Sequence, residues 1–208
     1  MKVLITAGPT VEPIDPVRYL TNRSSGKMGY ALAAAAAKRG HAVLLISGPT
    51  ALEIPEGVDF IPVESAAEMH QAVTSQIARQ DIAVFAAAVA DYTPVAPAGQ
   101  KIKKEGEEMT LTLKRTPDIL GSARTTMDFK GPLVGFAAET EHLEENARKK
   151  CLHKHCDLVI ANDVSQAGIG FDSSENEVLL VYPDRSEPLP RDTKERLAFH
   201  LIEIIESL

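Results

Sequence analysis

The sequence has few cysteines and no long apolar run. Its two cysteines, Cys151 and Cys156, show no redox spacing and cannot build a disulfide framework, so a reducing cytoplasm is the expected location. No apolar run approaches the roughly 20 residues that cross a bilayer, and residues 1–6 are too few for the apolar region of a signal peptide. The composition therefore argues against a disulfide-stabilised domain and against a helical membrane protein.

An excess of positive charge is also lacking. The formal net charge is −7, so the overall field of the molecule repels nucleic acid and anionic membranes. A polyanionic ligand must therefore bind in a local basic pocket. The apolar content of 44% and the charged content of 25% are ordinary for a soluble globular protein. No polar linker divides the chain, which predicts one domain over residues 1–208.

Short apolar runs alternate with segments of helical pattern along most of the chain. Strands that alternate with helices predict a Rossmann-like α/β fold with a doubly wound parallel sheet. The expected strands lie at residues 2–6, 42–47, 58–63, 81–88, 133–138 and 158–161. The expected helices run from Ser24 or Ser25 to about Arg39, from Ser65 to about Arg79, onward from Pro117, over residues 141–154, and from a cap at Asp192, with Leu197, Leu201, Ile204, Ile205 and Leu208 on one stripe.

Two further segments, residues 109–114 and 177–182, alternate apolar and polar side chains, as antiparallel strands with one wet face do. They predict a small antiparallel extension of the sheet. Because such strands need partners for their edges or apolar faces, we also expect a homodimer. Residues 92–108 are rich in proline, glycine and lysine and are expected to form an exposed flap.

The standard nucleotide-binding motifs are absent. Gly8 stands alone after the first strand, where a dinucleotide site needs Gly-x-Gly-x-x-Gly, and the second strand leads into Ser47 rather than an acidic residue. A Walker A loop is excluded because Lys27 is followed by Met28 instead of Ser or Thr. These absences count against a nicotinamide-binding oxidoreductase, and any phosphate site must be of another kind.

Two basic stretches carry most of the functional information. Residues 18–29, with Arg18, Asn22 and Lys27, run from a loop into an alanine-rich helix, and residues 101–104 place three lysines in the flap. In an open α/β fold both lie at the carboxyl edge of the sheet, where cations and a helix start can hold phosphate groups. Each stretch also fits a solvated surface loop, and the residues alone leave both interpretations open.

Other candidate residues also have two interpretations. Lys150 and Lys154 share one face of a predicted helix, which fits either surface ion pairs or a ligand site. Phe136 ends a predicted strand and is either a core residue or one that packs against a base. The segment from Cys151 to Cys156 holds two histidines but lacks the spacing of a zinc site, so a partly packed helix end is preferred over a metal site.

Six motifs, in order along nearly the whole chain, resemble the bacterial phosphopantothenate–cysteine ligase family (phosphopantothenoylcysteine synthetase) of coenzyme A biosynthesis. They lie at residues 15–29, 87–92, 101–104, 117–119, 135–140 and 161–165. The resemblance implies a homodimeric ligase that uses CTP, with Mg²⁺ carried by the nucleotide and no metal ligand assigned in the chain. The carboxylate of 4′-phosphopantothenate attacks the α-phosphate to give an acyl-cytidylate and pyrophosphate, and the amino group of cysteine then displaces CMP.

The resemblance also implies roles for single residues. Lys101 matches the lysine of the activation step, Asn22 the asparagine that handles the acyl-cytidylate, and Arg18 the arginine of the second half-reaction. Nucleotide contacts are implied for Asp91, Lys101, Pro117, Asp118, Ile119, Leu120, Phe136, Lys150 and Lys154. Leu120 stands where a related chain can carry Val, a difference that backbone contacts tolerate.

Many bacterial members of that family are fused behind a flavin-dependent decarboxylase, whereas here the first residue opens the predicted first strand. The sequence is therefore expected to be a free-standing ligase with its decarboxylase on a separate chain, or else a trimmed piece of a fused protein. Both cases predict no bound flavin. Two other functions remain as alternatives: an NAD(P)- or flavin-binding oxidoreductase on the same sheet, and a non-catalytic nucleotide-binding regulator.

Overall fold

The computed structural model of the chain describes residues 1–104, 106–165 and 173–208. The strands are β1 (Lys2–Ala7), β2 (Glu12–Pro13), β3 (Tyr19–Leu20), β4 (Ala42–Ser47), β5 (Val58–Pro62), β6 (Ile82–Phe85), β7 (Tyr92–Pro94), β8 (Leu113–Arg115), β9 (Leu133–Glu139), β10 (Leu158–Asp163), β11 (Glu175–Val181) and β12 (Ser186–Thr193). The helices are α1 (Lys27–Lys38), α2 (Ala66–Gln76) with a 3₁₀ turn at Ile77–Arg79, α3 (Ile119–Thr125), α4 (Leu143–His153) and α5 (Lys194–Glu206).

One eight-stranded sheet forms the centre of the molecule, in the order β12-β11-β10-β9-β6-β1-β4-β5. The strands from β10 to β5 pair in parallel. Numbered by chain order among themselves, they follow the order 3-2-1-4-5-6 of doubly wound dinucleotide-binding sheets. β11 and β12 add antiparallel pairs beyond β10. The predicted α/β class, the parallel sheet and its antiparallel extension are confirmed.

Helices cover both faces of this sheet. Successive strand residues point to opposite faces, so Val3 and Ile5 of β1 pack in the core beneath α1 and α5, while Leu4 packs with α2 on the other side. α3 and α4 complete the second layer through Ile119 and Ala147. The parallel strands read as nearly continuous apolar runs because neither face of the sheet meets water.

The start of α1 differs from the prediction. The helix begins at Lys27 after Gly26, which has φ of +76° and no side-chain cap, so the expected serine cap is wrong. The backbone N–H of Gly26 donates to Ser24 Oγ at 3.3 Å, but Gly26 is itself the N-cap residue, so this hydrogen bond satisfies no N–H group of the first helical turn. α1 also lies very close to the sheet, since a Cβ on Gly29 would be 2.5 Å from the Cβ of Ala7.

Two other helix starts were predicted well, and a third was misplaced. Ser65 caps α2 by accepting from the N–H of Glu68 at 3.2 Å, and Asp118 caps α3 by accepting from Gly121 at 3.0 Å. α5 is capped by Thr193 rather than Asp192. The predicted apolar stripe of α5 extends too far, because Leu208 lies beyond the helix and is exposed.

The predicted strand at residues 109–114 is largely wrong. Only β8 forms there, and it pairs with β7 in a small separate sheet. Met109 is 52% exposed, so the alternation before β8 has no core to bury an apolar face and does not form a strand. The prediction of strand 177–182 is confirmed, but β11 is paired on both sides. The expected need for a partner chain therefore loses its basis for β11, whereas β8 pairs on one side only, and the homodimer stays a prediction.

Both cysteines are buried and free, rather than partly packed at a helix end. Burial raises the pKa of Cys151 to about 11 and that of Cys156 to about 12. The thiol of Cys151 contacts the carbonyl oxygen of Cys156 at 3.3 Å. Among the described residues, no group of three or more His, Cys, Asp or Glu side chains is placed to hold a metal ion. No helix in the described part is long and apolar enough to span a membrane.

We expect both thiols to resist modification in the folded protein. With these pKa values only about one thiol in 10³ or fewer is a thiolate at pH 8, against roughly a quarter for an unperturbed cysteine. A disulfide-exchange reagent such as DTNB should therefore react slowly with the native protein. Guanidinium serves as the control, because it should release both thiols within seconds. Rapid reaction without denaturant would contradict the burial.

Candidate functional site

An open cavity of ≈ 970 Å³ lies at the carboxyl edge of the sheet, across the boundary between β1 and β6. Successive strands are added to the sheet on one side of this boundary after β1 and on the other side after β6. Open α/β sheets bind their ligands at such a switch point. The walls come from residues 24–29 at the start of α1, residues 85–89 after β6, and residues 115–120 between β8 and α3. The ends of β9 and β10, the last turns of α4, and the starts of β11 and α5 complete it.

Positive charge is concentrated in this cavity, although the chain as a whole is acidic. Six lining side chains are lysine or arginine and two are carboxylates, against a formal net charge of −7 for the chain. The cations are Lys27, Arg115, Lys149, Lys150, Lys154 and Lys194, and the carboxylates are Asp91 and Asp118. This local reversal of sign, beside the uncapped start of α1, suits a ligand with several negative charges.

The structure brings together most of the residues for which nucleotide contacts are expected. Eight of them line the cavity: Asp91, Pro117, Asp118, Ile119, Leu120, Phe136, Lys150 and Lys154. They come from four separate parts of the chain, which meet because β6, β9 and β10 are parallel neighbours. Lys101, Arg18 and Asn22 are not among the lining residues. Their roles, like those of the other eight, stay predictions.

Lys154 and Asp118 form an ion pair on the wall of the cavity, with Nζ 2.5 Å from Oδ2. Burial acts to raise the pKa of Asp118, but hydrogen bonds from Lys154 and from the N–H of Gly121, with the nearby positive charge, lower it overall. Asp118 therefore stays ionised while it caps α3. This pair fixes the turn at residues 117–120 against α4, so that a ligand meets a preorganised wall.

Lys150 lies deeper than Lys154, and its Nζ donates to the carbonyl oxygen of Phe136 at 2.6 Å. Burial is the largest cause of a lowered pKa for Lys150, which the neighbouring Cys156 and Glu139 partly oppose. The half-buried ring of Phe136 lines the cavity beside it. The arrangement places a cation and an aromatic face together at the ends of β9 and α4.

We expect binding of an anionic nucleotide to weaken at alkaline pH earlier than a solvated lysine would allow. The positive charge of Lys150 attracts phosphate, and this charge is lost as the pH rises through the lowered pKa. Calorimetric titration with CTP between pH 7 and pH 10 measures the effect. Lys150→Arg is the control, because an arginine keeps its charge over this range and should flatten the profile. An unchanged profile in that variant would contradict the assignment.

Asn22 joins two loops at the switch point. Its Nδ2 donates to the carbonyl oxygen of Ala88 at 2.5 Å, and its Oδ1 accepts from the N–H of Ser24 at 3.0 Å. Ala88 and Ser24 both line the cavity, so Asn22 stands directly behind its wall. The amide thereby sets the distance between the loop after β6 and the start of α1.

The flap contributes Tyr92 to the cavity wall, where it pairs with Arg115, and it also contacts the loop between β2 and β3. Arg18 forms an ion pair with Asp15 at 2.6 Å and donates from Nη2 to the carbonyl oxygen of Ile102 at 2.8 Å. Lys101 is exposed beside this contact. Of the predicted flap, Glu105 lies outside the described residues.

Several polar residues of the cavity were not identified from the sequence, among them Lys149 of α4. Arg115 is the last residue of β8, Asn176 lies in β11, and Lys194 is the first residue of α5. Asn176 and Lys194 are each 4% exposed. Lys27 and Lys194 both occupy the first turn of a helix, where a cation opposes the helix dipole. Such unfavourable placements on two neighbouring helices are the signal that could have located this side of the site.

The fold and cavity together define a Rossmann-like α/β domain with a basic site at the switch point. The family described as DNA/pantothenate metabolism flavoprotein C-terminal domain matches residues 1–208, so the chain belongs to this family. The Coenzyme A biosynthesis bifunctional protein CoaBC of Vibrio vulnificus (strain YJ016) is 49% identical to it over 208 residues, which are 99% of this chain and 52% of that protein. The chain spans about half the length of the curated relatives it matches.

Two solved structures are similar throughout. The C-terminal domain of Coenzyme A biosynthesis bifunctional protein CoaBC is 40% identical with a TM-score of 0.83, and the match covers 99% of this chain and 94% of that one. The DNA/Pantothenate Metabolism Flavoprotein from Streptococcus pneumoniae is 27% identical with a TM-score of 0.86, covering 100% and 99% of the two chains. These matches support the predicted family resemblance.

Proposed function

We propose that this chain is a CTP-dependent ligase of coenzyme A biosynthesis, acting in the cytoplasm, which joins 4′-phosphopantothenate to cysteine through an acyl-cytidylate. The observation that carries the proposal is the basic cavity at the switch point of an acidic chain. The names of its relatives place them in coenzyme A biosynthesis, and a fold of this type with a cationic cavity suits a nucleotide co-substrate.

The cations of the cavity have a clear task in the first step. A carboxylate that attacks the α-phosphate brings two anions together, so fixed positive charges must offset the charge that develops. The nucleotide brings its own Mg²⁺ as part of the substrate. Lys150 and Lys154 would hold the nucleotide from α4, and Lys101 would approach from the flap during activation.

The second step needs positioning more than acid–base chemistry. The cysteine amine attacks the acyl carbonyl, the bond between the acyl carbon and the phosphate oxygen breaks, CMP leaves with the electron pair, and the nitrogen loses a proton to water. A neutral amide donor at Asn22 can stabilise the developing oxyanion without competing for phosphate. Asn22 and Ser24 lie on the loop that precedes α1. This loop would line the nucleotide cavity through Ser24 in the first step and supply the Asn22 amide in the second. A homodimer is part of the proposal.

A pyrophosphate-release assay tests this function. The protein is incubated with 4′-phosphopantothenate and either CTP or ATP, with and without cysteine. We expect CTP to give pyrophosphate, with CMP and the amide product formed only when cysteine is added. CTP binding without consumption would indicate a nucleotide-binding regulator. Binding of NAD(P)H or a flavin, measured by absorbance titration, would indicate an oxidoreductase instead.

A further inference from the structure

The side chain of Asp15 is the centre of a compact polar cluster outside the cavity. Its Oδ1 accepts from the backbone N–H groups of Val17 at 2.9 Å and Arg18 at 2.8 Å. Its Oδ2 accepts from Nε and Nη2 of Arg18 and from the backbone N–H of Ile102 at 3.1 Å. The Asp15 side chain is fully shielded from water, and its two oxygens accept these five hydrogen bonds instead.

Ile102 is held at both of its backbone polar groups by this cluster. Its N–H donates to Asp15, and its carbonyl oxygen accepts from Nη2 of Arg18 at 2.8 Å. The N–H of Ala98 also donates to the carbonyl oxygen of Ile14 at 2.9 Å, which adds a second attachment on the same side. Both backbone polar groups of this flap residue are therefore hydrogen-bonded, although it belongs to no strand.

The negative charge of Asp15 favours a lasting contact between its carboxylate and the flap. The hydrogen bonds from the Arg18 side chain, opposed by burial and reinforced by backbone N–H groups, hold the pKa of Asp15 well below its usual range. The carboxylate is ionised throughout the physiological range, and charge-assisted hydrogen bonds are stronger than neutral ones. Loss of the charge on Asp15 would therefore loosen Arg18 and Ile102 together.

We infer that Asp15 is a positioning residue, which uses Arg18 and Ile102 to hold the flap so that Lys101 is presented to the reacting phosphate. The inference rests on the proposed function, because it assigns Asp15 to the step in which Lys101 acts. Lys101 directly precedes the clamped residue, and the loop that carries Asp15 and Arg18 continues to Ser24 in the cavity wall. Arg18 then contributes to the first step as well as to the second.

The Asp15→Asn variant tests the clamp in two ways. Trypsin can cut after Lys101, Lys103 and Lys104, so mass spectrometry of brief digests reports directly on release of the flap. We expect these cuts to become about tenfold faster, and pyrophosphate formation at saturating CTP to become at least about tenfold slower, since small displacements of a catalytic group are costly. The rate constant at saturation should fall more than the apparent affinity for CTP.

Glu206→Gln is the matched control. Glu206 accepts from Arg39 at 2.7 Å and contacts His41, in an ion-pair cluster at the far end of α5, so this variant also removes one carboxylate from a charged network. It should leave both readouts unchanged. Arg18→Lys is the second test if Asp15→Asn does not fold. It keeps the positive charge but removes the guanidinium group that hydrogen-bonds both Asp15 and the carbonyl oxygen of Ile102. It should show the same two effects.

Three results would overturn the inference. Unchanged cutting of the flap in both test variants would show that the clamp does not hold it. Faster cutting with an unchanged rate of pyrophosphate formation would show that the clamp does not position Lys101. Absence of pyrophosphate formation by the wild-type protein would reject the proposed function and with it the role of Asp15, while the digests would still report whether the clamp exists.

Discussion

The Lys101→Gln variant is expected to form pyrophosphate at least about 10² times more slowly than the wild-type protein, a typical loss when one stabilising group at a developing charge is removed. Glutamine keeps most of the length and polarity of lysine but cannot neutralise phosphate. Asp15 and Arg18 hold Ile102, the residue after Lys101, on the loop that leads to Ser24 in the cavity wall. Single-turnover measurement with CTP and 4′-phosphopantothenate isolates this step.

Lys103→Gln provides the control for Lys101→Gln. Both lysines are exposed and lie in the same flap, so the two variants change the net charge of the same segment equally. Lys103→Gln should retain most of the activity. Equal losses in the two variants would mean that the flap acts only through its total charge, and the specific role of Lys101 would be rejected.

Asn22→Asp completes the comparison, because we expect it to slow the second step much more than the first. The variant removes the donor that Asn22 offers and places a carboxylate oxygen near the carbonyl oxygen of Ala88, now 2.5 Å from Nδ2. We expect pyrophosphate to form while the acyl-cytidylate accumulates, detected by mass spectrometry of quenched reactions. Loss of both steps in both Asn22→Asp and Lys101→Gln would contradict the separation of their roles.

The Gly29→Val variant is expected to lose stability and nucleotide binding together. A Cβ at position 29 would lie 2.5 Å from Ala7 Cβ and 3.2 Å from Ala7 Cα, so α1 must move away from β1. Overpacking of this kind costs about 1–3 kcal/mol, and contact with backbone places it at the upper end. Because the first turn of α1 lines the cavity, the same displacement moves the helix start away from the ligand. Urea unfolding and CTP titration measure the two effects.

Ala34→Val is the control for the helix itself. Ala34 lies on the same helix and is only partly buried, so the substitution places a valine in α1 away from the contact between Gly29 and Ala7. It should cost about 0.5 kcal/mol through helix propensity alone and leave CTP affinity unchanged. A similar loss in both variants would show that valine in α1, rather than close approach to β1, causes the effect.

Much of the fold could be predicted from the sequence because the parallel strands are buried on both faces. Their uninterrupted apolar runs and the intervening helical segments indicate the α/β class without any knowledge of contacts. Cap residues with a local partner, such as Ser65, were also predictable. The cap of α1 was not, because two adjacent serines invite that role while Gly26 alone can adopt φ of +76° there.

The site was predictable only where its residues lie in short motifs. Lys150 and Lys154 share a helix face, and residues 117–120 form one turn, so each group could be recognised as a unit. Asn176 has no such local pattern, and Lys194 shows only its unfavourable place in the first turn of a helix. Pairing of β11 with β10 and packing of α5 beside α1 bring both to the cavity. The clamp on Ile102 depends on contacts across 84 or more residues and was equally hidden.

The contrast between a basic cavity and an acidic exterior gives dissolved salt two opposing effects on the nucleotide binding that we propose for this chain. Far from the protein, a triphosphate meets the repulsion of a net −7 body, and mobile ions shorten the reach of that repulsion to about 10 Å at 0.1 M ionic strength. Inside the cavity the same ions compete with the ligand for the lysines. Moderate ionic strength should thus hasten encounter while it shortens residence, so the ligand arrives more readily and also leaves sooner.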